Sequence, residues 1–240
     1  MKLQADLHTH TIASTHAYST ITENCEWAGK YGLKAIAMTD HAMKMPDSPH
    51  IWHFANLGII PRKINGVTVL KGIEANIINT DGQLDVDDWL LRQLEWVVAS
   101  MHGEVMQTDT IENITKTYIK LCQNPYIDVI GHCTSDLFYF DYDKGVKAFK
   151  EYEKLIEINE SSIINKKGSR ENCYEILKLC KKYEVPVVVD SDSHFCQNIG
   201  QIPNALQIIE ELDFPEKLVI NTDWEKLREF IFKKRKNLDI

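Results

Sequence analysis

At 240 residues, with 44% hydrophobic and 26% charged, the chain has the make-up of an ordinary globular protein, long enough for one α/β barrel or two small domains. Its net charge of −8 argues against the basic face that binding to nucleic acid needs, but leaves room for a small phosphorylated substrate where bound cations make a site locally positive. No apolar run approaches the roughly 18 residues that span a membrane, and the charged start running into a strand does not read as a signal peptide, so the expected location is the cytoplasm.

Short apolar runs alternate with amphipathic, helix-length segments along the chain. The first run, residues 2–7, leads into Ala5-Asp6-Leu7-His8-Thr9-His10. In a strand, residues i and i+2 point the same way, so His8 and His10 can share one metal ion. His16 follows in the next loop. A helix is expected over residues 22–32, with Thr22 as N-cap. The second run, residues 35–38, ends in Thr39-Asp40-His41. Residues 47–62 are marked by proline and read as mixed loop and helix. His50 and His53 fall there, and Trp52 and Phe54 read as packing a helix against the barrel in preference to forming a lid.

The third run, residues 67–73, leads to Glu74. Asp81-Gly82 signals a turn before a short helix near Asp87. Residues 96–101 form the next strand and deliver His102. A helix near residues 110–122 leads to a strand at residues 127–130, then Gly131-His132. A helix near residues 144–152 precedes a sixth strand at residues 155–159. A helix over residues 169–183 leads to a strand at residues 185–189, which runs into Asp190-Ser191-Asp192-Ser193-His194. Helices near residues 202–212 and 224–234 close the chain, with residues 218–220 as a further short strand. The basic run Lys233-Lys234-Arg235-Lys236 reads as a solvated helix end, where cations are favoured.

Continuous apolar strands alternating with helices indicate parallel strands covered on both faces. Seven in about 200 residues suggest a closed or nearly closed barrel, with an open doubly wound sheet as the alternative. Nothing marks a domain boundary, so residues 1–240 read as one domain. The six cysteines form no C-x-x-C pair and read as free, buried thiols; Cys133 and Cys196 lie beside candidate ligands.

In a parallel barrel the site lies at the C-terminal ends of the strands. His8, His10, His16, His41, Glu74, His102, His132, Asp192 and His194 all fall at or just past such ends, and they include seven of the nine histidines. Imidazole and carboxylate without thiolate suit Zn²⁺, Mn²⁺ or Fe²⁺. The set exceeds the needs of one ion, and a bridging Glu74 could serve two. Sites with two or three metals suit phosphoryl transfer. After the sixth strand, Asn159 is followed by Ser161, Lys166, Lys167, Ser169 and Arg170 ahead of a helix. Lys166, Lys167 and Arg170 are therefore candidate phosphate contacts, although an ordinary basic loop with Ser169 as helix cap fits the same residues.

The His8-Thr9-His10, Thr39-Asp40-His41, Gly72-Ile73-Glu74, Ser100-Met101-His102, Gly131-His132 and Asp190-Ser191-Asp192-Ser193-His194 motifs, in this order, resemble the PHP (polymerase and histidinol phosphatase) superfamily over essentially the whole chain. The YcdX-type phosphatases are most similar, with Ile158-Asn159-Glu160-Ser161-Ser162 adding to the likeness. The resemblance implies an α/β fold, a distorted seven-stranded (βα)7 TIM-like barrel, with three divalent metal ions, usually zinc. It assigns His8, His10, Glu74 and Asp192 to one ion. His16, His41 and His194 go to a second, and Glu74, His102 and His132 to a third.

Asp40, Glu74 and Asp192 would be the catalytic carboxylates, Asp40 by orienting a ligand histidine. The implied activity is hydrolysis of a small phosphomonoester by a metal-activated hydroxide, without a covalent intermediate. Alternatives are a phosphodiesterase or 3′–5′ exonuclease, a histidinol-phosphate phosphatase, and a metal-binding module without turnover. The oligomeric state is left open, a homo-oligomer included.

Overall fold

The computed structural model describes residues 1–235 and 238. Seven parallel strands carry the fold: β1 (Ala5–Thr9), β2 (Ala35–Met38), β4 (Val67–Asn76), β5 (Trp96–Ser100), β6 (Val129–Ile130), β7 (Leu155–Asn159) and β8 (Val187–Asp190), hydrogen-bonded in that order. The two-residue β3 (Lys63–Ile64) pairs antiparallel with β4. Asn65 and Gly66 join them with φ of +50° and +81°. Asn-Gly at such angles is the two-residue hairpin signal.

Inward and outward residues alternate along the strands. Ile36, Val69, Val97, Ile130, Ile156 and Val189 face the helices in one apolar cluster. Ala35, Leu70, Trp96, Val98, Leu155 and Val188 fill the barrel interior in another. Because Leu70 points inward, Glu74 four residues on does too; Leu155 and Val188 fix Glu157 and Asp190 in the same way. β1 carries a bulge, since three residue steps from Asp6 to Thr9 oppose two steps of β2 from Ile36 to Met38. The extra residue lets Leu7 pack inside while His8, next to it, still turns toward the mouth of the barrel.

Helices alternate with the strands: α1 (Ile21–Lys30), α2 (Ile51–Ala55), α3 (Asp88–Leu91), α4 (Ile111–Leu121), α5 (Tyr142–Glu151), α6 (Glu160–Asn165), α7 (Ser169–Tyr183), α8 (Pro203–Glu211) and α9 (Trp224–Lys234). α1 starts two residues earlier than Thr22 would allow, because Thr20 and Glu23 form a capping box. The loop expected after Asn159 contains α6, which the Asn159 side chain caps by accepting from the Ser162 amide. Gly168, in the left-handed region at φ +73°, is the residue that caps α7; Ser169 is its first helical residue. Phe54 is buried as expected, whereas Trp52 is 76% exposed, its ring edge-on to His50 at 5.0 Å. All six cysteines are free and buried.

β1 and β8 nearly close the barrel. A Thr9–Ser193 bridge ties the end of β1 to the segment that follows β8, and the Leu7 amide donates to Asp190 Oδ1 at 2.7 Å. The Asn221 amide adds donors to Ala5 and Val189 carbonyls at 3.0 and 2.8 Å. Residues 218–220, expected as a strand, are two 3₁₀ turns with one bridge from Val219 to Val187. α9 covers the end of the barrel opposite the histidines, where Leu227 and Ile231 join the interior cluster.

The basic run at the end of α9 is not simply solvated. Lys234 Nζ donates to the Ile127 carbonyl at 3.0 Å, and Arg235 makes a two-pronged pair with buried Asp128 at 2.8 and 2.7 Å. Lys233 pairs with Glu153. Lys236, the last member of that run, lies outside the described residues. No described helix is long and apolar enough to cross a membrane.

Candidate metal centre

Glu74 stands at the centre of the barrel mouth. Its Oε2 lies 3.4, 3.7 and 3.1 Å from the Nε2 atoms of His8, His10 and His41. Its Oε1 lies 3.3 and 3.0 Å from those of His102 and His132, which are 3.2 Å from each other. Asp192 Oδ1 is 3.0 Å from His10 Nε2 and 3.6 Å from His8 Nε2. His194 stacks on His10 at 4.2 Å between ring centres and lies 4.3 Å from His16. All nine candidate ligands are therefore gathered at one end of the barrel. His16 is at its edge, 53% exposed.

The far nitrogen of most rings is held from behind. His8 Nδ1 meets Glu157 Oε1 at 2.6 Å, and His102 Nδ1 meets Asn76 Oδ1 at 2.8 Å. His41 and His16 share Asp47, at 3.1 and 2.7 Å. His194 Nδ1 donates to the Asp192 carbonyl at 3.0 Å. An acceptor on Nδ1 fixes the tautomer and turns the Nε2 lone pair inward, which is how metal-binding histidines are oriented. The Nε2 atoms of His8 and His194 are accordingly buried with no hydrogen-bond partner among the described residues.

The donor set fits divalent cations. Tetrahedral ligands at zinc–nitrogen and zinc–oxygen distances of about 2.0–2.1 Å lie roughly 3.3 Å apart, and the contacts around Glu74 fall between 3.0 and 3.7 Å. Groups such as His8, His10 and Glu74, or His41, Glu74 and His102, are close enough to hold an ion. So are His16, His41 and Asp47, which adds a carboxylate absent from the sequence-derived set. Two of the nine residues sit in the left-handed region, His132 at φ +23° and Asp192 at φ +54°. Such strain persists where surroundings over-determine it.

The electrostatics are those of a dense, buried cluster. Burial opposes charging His8, but Glu157, Asp192 and Glu74 outweigh it and hold its pKa well above the usual imidazole value. Burial is likewise outweighed at His41, where the Glu74 hydrogen bond and charge raise the pKa to about 9. Burial together with the His41 charge pushes His10 down to about 3, and burial with the Lys166 charge pushes His132 down to about 4. Glu74 and Asp192, although buried, are held well below the carboxylate range, chiefly by His8.

Asp40 touches no histidine of the nine. It accepts from the Thr11 amide at 2.7 Å, from Ser14 Oγ at 3.0 Å and from His53 Nε2 at 3.0 Å. Its reach to the cluster is indirect, through Ser14, whose hydroxyl also accepts the His41 amide. Lys166 lines the metal cavity beside His102 and His132. Lys167 lies farther out, past His102. Arg170 points away, to Asn204 and Gln207 of α8. The N-terminus of α7 is already taken by a carboxylate: Asp136 Oδ1 would lie 1.8 Å from a Cβ on Gly168, and Asn172 donates to that oxygen at 3.0 Å. This end of α7 is not free for a phosphate.

Sequence reasoning missed Glu157, Asp47 and Asn76. Each reaches its histidine from a different element, which no local spacing reports. Glu157 alone left a trace, as a charged residue inside the apolar run at residues 155–158.

The chain matches the PHP domain family model over residues 6–213. It is 45% identical over 240 residues to a protein of Thermoanaerobacter sp. (strain X514) named "probable phosphatase", covering 99% of this chain and 98% of that one. A Clostridium novyi protein of the same name is 43% identical, covering 100% and 99%. Among solved structures, the histidinol phosphate phosphatase of Lactococcus lactis, in complex with zinc, L-histidinol and phosphate, aligns with TM-score 0.59. It is 16% identical and covers 90% of this chain and 95% of that one, a likeness of fold.

Proposed function

Since the chain belongs to the PHP domain family, we propose that it is a metal-dependent phosphatase that hydrolyses a small phosphomonoester. The observation that carries this reading is the convergence of five imidazole Nε2 atoms on the two oxygens of Glu74. The relatives named as phosphatases support it.

His8, His10, Glu74 and Asp192 would hold one ion, Glu74, His102 and His132 another, and His16, His41 and His194 a third. Zinc suits these donors, and Mn²⁺ or Fe²⁺ does as well. Divalent cations, when bound there, supply charge neutralisation for the phosphoryl oxygens and acidify water.

The chain's own residues do the rest. Glu157, Asn76 and Asp47 keep the imidazoles in register. Asn159 Nδ2, 3.2 Å from Asp192 Oδ2, fixes that carboxylate. Lys166, at the lip of the cavity, offers an ammonium to a non-bridging phosphate oxygen. Asp40 acts as a positioning residue through Ser14. The carboxylate-rich mouth, with Asp47, Glu74, Glu104 and Asp192, suits a small monoester better than a polynucleotide, which needs a basic track.

The test is p-nitrophenyl phosphate hydrolysis by the metal-loaded protein, with His8→Ala and Asp192→Ala beside it. Turnover that either substitution abolishes supports the reading. A metal-loaded, folded protein that cleaves no phosphomonoester refutes it.

A further inference from the structure

The metal cavity opens sideways into a second cavity of about 520 Å³, with which it shares His16, Ser161, Asp192 and His194. Cavities of about 300–1,000 Å³ commonly hold small molecules. The remaining wall comes from α6, Ser191, Ser193 and residues 198–204; beside the apolar Ile164 and Pro203 it carries Asn165, Asn198, Gln201 and Asn204.

Glu160 also lines it but is spent. Its Oε1 accepts from the Asn204 amide and Nδ2 at 3.1 and 2.7 Å, and its Oε2 from the Ala205 amide at 2.8 Å. Asn204 is thus clamped, with Arg170 against its Oδ1 at 3.4 Å. Gln201 spends its amide on one long contact, 3.5 Å to the Ile199 carbonyl. Among the described residues lining this cavity there is no lysine, arginine, phenylalanine, tyrosine or tryptophan. On the other side, past His102, the neighbouring cavity carries Lys166 and Lys167.

We propose that the amide-lined cavity receives the leaving alcohol of the substrate, and that this alcohol is uncharged and rich in hydroxyl groups, as in a sugar or polyol monophosphate. The inference rests on the phosphomonoesterase reading above. Side-chain amides both donate and accept, which matches a row of hydroxyls. A cationic alcohol needs a carboxylate turned to it, and Glu160 already accepts three hydrogen bonds from within the chain. A second phosphate needs a lysine or arginine, and this wall has neither.

The experiment is kcat/KM of the metal-loaded full chain for p-nitrophenyl phosphate, a hexose monophosphate, an amino-alcohol phosphate and a nucleoside bisphosphate. The same panel is run on the Asn198→Leu/Gln201→Leu double variant, whose two sites are exposed. The expected result is preference for the hexose monophosphate. In the double variant that preference over p-nitrophenyl phosphate should fall on the order of tenfold, the worth of one or two lost hydrogen bonds. Asn198→Asp should move selectivity toward the amino-alcohol phosphate. Preference for the amino-alcohol phosphate or the bisphosphate by the wild type, or an equal fall for hexose and p-nitrophenyl esters in the double variant, overturns the leaving-group assignment alone. No turnover of any monoester, p-nitrophenyl phosphate included, overturns the phosphatase reading and this inference with it.

Discussion

Glu157 Oε1 lies 2.6 Å from His8 Nδ1, with both residues wholly buried below the mouth of the barrel. The other Glu157 oxygen accepts the His132 amide at 2.6 Å, so one carboxylate steadies two candidate ligands. Glu157→Gln keeps the shape but weakens the acceptor on His8. Loss of such a partner typically costs about 10–100-fold in metal affinity. The expected outcome is a fall of that size in a competition titration with a chelator. A folded variant with unchanged affinity would remove Glu157 from the account.

Metal loading should release protons. In the metal-free protein His8 has a raised pKa and His41 one of about 9, so at pH 7 both carry a proton that a cation must displace. A raised pKa means the proton is held until the pH climbs past it. Metal affinity is therefore expected to rise from pH 6 toward about 9. Calorimetry in buffers of differing ionisation enthalpy measures the protons released; a pH-independent affinity with no release would contradict the assignment.

Asp47 serves His16 and His41 together. Asp47→Ala frees both rings and should lower the occupancy of the ion they share before that of the others. The check is metal content per chain under limiting chelator, with a loss of about one ion expected. Loss of every ion together, or of none, would not fit a separate His16–His41 position.

The Arg235–Asp128 pair ties the end of α9 to the base of the barrel. Asp128 is fully buried, so Arg235→Ala leaves a carboxylate whose remaining ion-pair partner among the described residues is Lys234, at 3.5 Å. Breaking a buried pair costs about 3–5 kcal/mol, and Lys234 places the expected loss toward the lower end. Urea denaturation at neutral pH measures it, and a change below about 1 kcal/mol, the size of a surface pair, would show the tie to be dispensable.

The strand ends were legible because most candidate ligands fall in or just past the end of an apolar run, and parallel strands put their C-terminal ends on one side. His8, His41, Glu74, His102, His132 and Asp192 could be placed that way from order alone. What supports them could not. Asn76 is an ordinary polar residue at a strand end, and Asp47 sits in a Pro-marked loop whose course depends on the whole barrel. Asp40 is expected to orient a ligand histidine, and the residues through which its carboxylate bonds, Thr11, Ser14 and His53, could not be named from the sequence. Arg170 lies in a basic stretch, yet one turn of α7 carries it round to α8. The basic run at the end of α9 looked solvated because nothing local announces that Asp128 waits, buried, more than a hundred residues upstream.

The central claim is that the nine gathered residues hold a cluster of cations, and the most direct measurement is elemental analysis of metal per folded chain after loading and removal of excess. The account expects about three divalent ions, with fewer in His8→Ala, Asp192→Ala and Glu74→Gln. One ion or none in the folded wild-type protein, with metal supplied, would contradict it.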